Sequence, residues 1–170
     1  METAQLSRTI PPGLDGETFS SLDVSKMTGV SLRQLQWWDE QGVVSPIQRG
    51  HRRIYQLHEV IEVSMITELR AKGISLQKIR KVLKFLKKEL GGRFLQTIRG
   101  EGETHLLTDG ENFYLESSHA GIVDILKNAS QPLIAVCITD QVEEIAAKVP
   151  VKKPIRREPG SISAAREQVS

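Results

Sequence analysis

A single cysteine, Cys137, stands in this chain of 170 residues. No intrachain disulfide can form, and a cysteine-rich zinc framework is excluded. Aromatic residues make up only 5% of the chain, so any core rests on Leu, Ile and Val. No apolar run approaches the ~20 residues that a membrane-crossing helix needs. The stretch from Met1 to Leu14 lacks the basic start and apolar centre of a secretory signal, so a cytoplasmic location is expected. Internal repeats are missing too. So are a Ser/His/Asp arrangement, a phosphate-cradling glycine loop and paired catalytic carboxylates, and neither an enzyme nor a cofactor is expected. His51, His58, His105 and His119 are scattered without ligand spacing, and no metal site is expected. Cys137, in an apolar run, reads as an inert core residue. Turn and surface roles suffice for Asp109, Glu111 and Asp124.

What is present is a globular composition, 39% hydrophobic and 26% charged. The net charge of +2 hides an uneven distribution. Residues 19–90 hold 13 Lys and Arg against 7 Asp and Glu, while residues 91–150 hold 4 against 9. Residues 1–18 carry −2, and 151–170 return to +3. Positive charge gathered in one segment suits a polyanionic partner, or a solvated basic face.

The local signals divide the chain into parts. Residues 1–18, with Pro11, Pro12, Gly13 and Gly16, read as a disordered tail. Ser20-Ser21-Leu22-Asp23 has the spacing of a capping box opening a short helix to about Met27. Thr28-Gly29-Val30 makes a tight turn, and Ser31 caps a second helix that runs to about Gln41 and stops at Gly42. Two short helices around a glycine-containing turn form a helix-turn-helix. Residues 43–55 predict a hairpin, or wing: Val43-Val44 in the first strand, a tip of Arg49-Gly50-His51-Arg52-Arg53, then Ile54-Tyr55. A third helix carries Leu57, Ile61, Met65 and Leu69. A fourth carries Leu76, Ile79, Val82, Leu83, Leu86 and Leu90. Gly91-Gly92 marks a domain boundary.

Beyond it, Thr104–Leu107 and Phe113–Glu116 around Asp109-Gly110 predict a second hairpin. A helix over 120–128, a buried strand over 132–138 and a helix over 141–148 follow, with residues 94–98 read as a strand. From Pro150 onward a basic, proline-containing tail is expected to be disordered. The fold class is α+β: a winged helix-turn-helix of four helices and a wing at 19–90, then a small α+β domain at 91–150, with a tail at each end.

A helix-turn-helix reads DNA by laying its second helix in the major groove. Ser31, Arg33, Gln34 and Gln36 are the polar candidates there, since Arg can pair with guanine and Gln with adenine. Leu32 and Leu35 are expected to face the core. Trp37 and Trp38 point ~100° apart on a helix, so one is expected inside and one near the surface. An indole N–H at the surface suits a phosphate oxygen. Arg49, His51, Arg52 and Arg53 at the wing suit the DNA backbone or minor groove. On the fourth helix, Lys78, Arg80, Lys81, Lys84, Lys87 and Lys88 suit phosphates or solvent equally.

Residues 19–90 resemble the DNA-binding domain of the MerR family. The resemblance rests on Thr28-Gly29-Val30-Ser31, Arg33, Trp37-Trp38-Asp39, Gly42-Val43-Val44, Pro46 and Arg53-Ile54-Tyr55. It continues through Lys72-Gly73-Ile74-Ser75-Leu76-Gln77-Lys78-Ile79. It implies a sequence-specific transcriptional regulator of double-stranded DNA that works as a homodimer, with RNA polymerase as a further candidate partner. It also implies DNA contacts from Arg33, Trp38 and Arg53, and it places Tyr55 in the wing motif. Gln36 stands where the family usually has Arg, so base preference does not carry over. No heptad pattern follows the fourth helix, so the dimer interface is expected within 91–150. The competing readings are a MerR-fold module that binds protein and an excisionase-like architectural DNA binder.

Overall fold

The computed structural model describes residues 16–90 and 102–150. The Gly91-Gly92 boundary, the 94–98 strand and most of both tails lie outside the described residues. The elements, in order, are β1 (Thr18–Ser20), α1 (Ser21–Thr28), α2 (Leu32–Glu40), β2 (Ile47–Arg49), β3 (Arg52–Gln56), α3 (Leu57–Ala71) and α4 (Leu76–Leu90). Then come β4 (His105–Thr108), β5 (Phe113–Glu116), α5 (His119–Asn128), β6 (Ile134–Cys137) and α6 (Ile138–Lys148).

Short helices need their ends satisfied, and these are. Ser20 and Asp23 form a reciprocal capping box at the start of α1. Ser31 Oγ accepts from the Gln34 N–H, 3.1 Å away, at the start of α2. At the other end Gly42, at φ 67°, lets its own N–H donate to the Asp39 carbonyl and that of Val43 to the Trp38 carbonyl. This double closure stops α2 and turns Val43 inward. Val43 and Val44 are therefore core residues and not the first wing strand, which begins at Ile47. Leu32 also departs from expectation: as the first residue of α2 it stays exposed, while Leu35 is buried.

The first sheet has strand order β1-β3-β2, all antiparallel. Strand β1 starts at Thr18, the last residue of the stretch whose sequence predicts a tail. α3 is the hub, buried on nearly every side. It even buries two acids: Glu59 accepts from the Gln56 N–H at 2.7 Å, and Glu62 lies 3.5 Å from Lys87. Burial pushes the Glu62 carboxyl above its ordinary pKa, against the pull of Lys87.

The second sheet has order β5-β4-β6. Its helix α6 packs on α3 and α1, and Ser64 Oγ donates to Gln141 Oε1. Leu106, Val136, Ile138, Val142 and Ile145 thereby join the apolar cluster of the first part, so the two parts share one core. α5 differs: none of its residues is buried.

Candidate nucleic-acid interface

The helix-turn-helix and the wing are locked together through one acid. Asp39, on α2, accepts from Arg53 Nε at 2.6 Å and from Gln48 Nε2 at 3.1 Å. This hydrogen bond, with the negative charge of Asp39, raises the Arg53 pKa and fixes the guanidinium as a cation. Arg53, expected at the DNA, thus ties the wing to α2 while about a quarter of its side chain stays exposed.

Strand alternation explains which side chains face out. Across β2 and β3 the register pairs Ile47 with Ile54, Gln48 with Arg53 and Arg49 with Arg52. Side chains two apart share a face. Gln48, Arg53 and Tyr55 therefore lie on the inner face, and Ile47, Arg49, Arg52 and Ile54 on the outer one. Tyr55 is only 1% exposed, and burial raises the pKa of its phenol. The expectation of a surface contact from Tyr55 is corrected: it is a core residue paired in register with Phe19.

Arg49 and Arg52 sit directly opposite each other, flanking the tip Gly50-His51. Gly50 takes φ 62°, a conformation that suits glycine at a two-residue hairpin tip. Like charges placed opposite on a sheet are unfavourable. Arg49, His51 and Arg52 are all exposed, and none is paired among the described residues.

On α2, Ser31 and Arg33 are exposed, Gln34 is half-buried, and Gln36 donates to Glu40 at 2.7 Å. The two tryptophans split as their geometry requires, with the roles reversed. Trp37 is 44% exposed and Trp38 only 6%. The helix turns its Leu35–Trp38 stripe inward, so the outward indole is that of Trp37, which the sequence reading left out of the site. Trp37 and Trp38 line an open cleft of about 610 Å³ with Ser31, Gln34, Thr67 and Arg70. Arg70 also escaped the sequence reading, because the cleft joins α2 to α3 through the fold.

The basic face of α4 is largely engaged within the chain. Lys81 and Lys78 lie 2.9 and 3.8 Å from the Glu111 carboxylate. Arg80 donates to the Gln41 carbonyl at 2.8 Å and steadies the end of α2. Lys84 and Lys88 remain exposed. No helix among the described residues is long and apolar enough to cross a membrane.

Residues 19–86 match the family model described as MerR HTH family regulatory protein. An uncharacterised HTH-type transcriptional regulator of Mycobacterium tuberculosis is 25% identical over 129 residues, covering 73% of this chain and 54% of the relative. The HTH-type transcriptional regulator GlnR of Bacillus anthracis is 31% identical over 61 residues, 35% of this chain and 47% of its own length. The chain spans about half the length of the curated relatives it matches.

Proposed function

We propose that this chain, whose residues 19–86 form a MerR-type helix-turn-helix domain, is a sequence-specific DNA-binding transcriptional regulator. The observation that carries the reading is the opposed pair Arg49 and Arg52 at the tip of a hairpin pinned to α2. The two guanidiniums repel each other in the free protein and gain a common counter-charge on a phosphate backbone. α2 enters the major groove, where Arg33 and Gln34 read base edges and Ser31 and Gln36 contribute short polar contacts. Trp37 covers sugar and phosphate from the exposed side of α2. Arg49, His51 and Arg52 hold the backbone beside it. Arg53 acts indirectly, through Asp39, by positioning the wing.

A second copy brings a second head to the DNA, and the interface lies in residues 91–150. Support comes from α5, which buries none of its residues and exposes Val123 and Leu126. RNA polymerase is the machinery on which the bound dimer acts, from the cytoplasm.

Selection of a random duplex library by the purified protein tests the reading. Enrichment of an inverted repeat is expected, its half-site spacing set by the dimer. Salt-sensitive binding without an enriched motif would instead indicate an architectural DNA binder. Absence of binding at low salt would overturn the DNA reading in favour of a protein partner.

A further inference from the structure

We propose that Glu103, His105 and Cys137 form a binding site for a divalent transition-metal ion of borderline softness, of which Zn²⁺ is the type. Antiparallel pairing of β4 with β6 sets His105 directly opposite Cys137. Cross-strand partners project from the same face of a sheet, their Cβ atoms about 4.5–5.5 Å apart. Glu103 precedes His105 by two residues, the spacing that returns a side chain to the same face of extended chain. One carboxylate oxygen, one ring nitrogen and the thiol sulfur consequently lie within 4.8 Å of one another. The Glu103 Oε2 to His105 Nε2 separation is 3.8 Å. Ligand atoms about 2.0–2.3 Å from a tetrahedral ion stand roughly 3.3–3.8 Å apart. Closing on an ion therefore takes side-chain adjustments of about an ångström, and Glu103 lies at the exposed end of the cluster.

The donors select the kind of ion. Calcium and magnesium require oxygen-only sites, and copper(I) favours sulfur. Zinc and its neighbours accept sulfur, nitrogen and oxygen together. A water molecule in the fourth position completes four-coordination, as at zinc sites with three protein ligands. Binding forms a sulfur–metal bond and releases the Cys137 thiol proton to solvent.

The location gives the ion something to hold. Cys137 is the N-cap of α6, the helix that packs on α3. Thr104, between two of the ligands, accepts from the Ile138 N–H at 2.8 Å and donates to Thr139 Oγ1 at 2.9 Å. An ion here ties the start of α6 to β4 and raises the melting temperature by mass action.

Titration of the chelator-stripped full chain with Co²⁺ tests the site. Expected are one Co²⁺ per chain, a near-ultraviolet thiolate-to-cobalt band and intense visible bands, all collapsing when Zn²⁺ is added. Cys137→Ser removes the thiolate band, and His105→Gln weakens Co²⁺ binding at least tenfold, with helical circular dichroism retained. Cobalt bound without a thiolate band, or no cobalt bound, overturns the proposal from the unmodified chain alone, even if a variant fails to fold. DNA takes no part in these readouts, so the site stands or falls apart from the proposed function.

Discussion

At the β4–β5 turn, Asp109 accepts from the Glu111 and Asn112 N–H groups at 2.8 and 2.7 Å and from Asn112 Nδ2 at 2.9 Å. Glu111 then reaches Lys78 and Lys81 on α4. The turn docks so closely that a Cβ on Gly110 would meet Lys78 Cδ at 2.6 Å. The β2–β3 turn does the reverse, facing Arg49 with Arg52 and leaving both exposed. A hairpin that serves the fold spends its polar groups inside the molecule. The wing leaves its charge at the surface, while its inner face, through Arg53 and Gln48, is anchored to Asp39 on α2.

The contrast can be broken from either side. The largest effect is expected from Asp39→Ala, which strands Arg53 and frees Gln48. Stability should fall by about 1–3 kcal/mol, and DNA affinity should fall with it as the wing loses its angle. Denaturant unfolding beside duplex titration would measure both, and lost stability with unchanged DNA binding would detach the wing from function.

Next is Asp109→Asn. Hydrogen bonds from Asn112 and Glu111 hold the Asp109 carboxyl at about 2, below its ordinary 3.8. Its contribution to stability is thus complete above pH 3.8 and is lost as pH falls through about 2. The variant should show a flatter acid limb in melting temperature against pH.

The smallest effect belongs to Glu111→Gln. Its ion pairs are solvent-exposed, so melting temperature should drop slightly at low salt and match the unmodified chain at high salt. DNA affinity should stay within about twofold, since the predicted contacts lie elsewhere.

Local signals were legible in the sequence wherever the chain fixes its own geometry. Ser20 and Ser31 cap where their spacing says they should, Gly42 ends α2, and the Asp109-Gly110 turn joins the strands expected around it. Readings that depended on partners far along the chain went astray. β1 exists because residues 18–20 pair with residues 54–56, and nothing local announces that. Tyr55 carries a group suited to DNA, and only the register of β3 reveals that it faces inward. Trp37 and Trp38 required a split, and the stripe of α2 that the fold buries, Leu35 and Trp38, decided its direction. His105 and Cys137 lie more than 30 residues apart, so their proximity waits on the β4–β6 pairing.

The central claim, that the wing holds uncompensated charge for a polyanion, is tested most directly with Arg52→Glu. Duplex binding would be measured across salt concentrations, with melting of the free protein measured in parallel. Opposite charges would then face each other at the tip, so the free protein should melt at the same or a slightly higher temperature. DNA binding should weaken, and its logarithmic salt slope should shrink by about one or more. An unchanged slope, or a lower melting temperature, would contradict the account and make the arginines part of the fold.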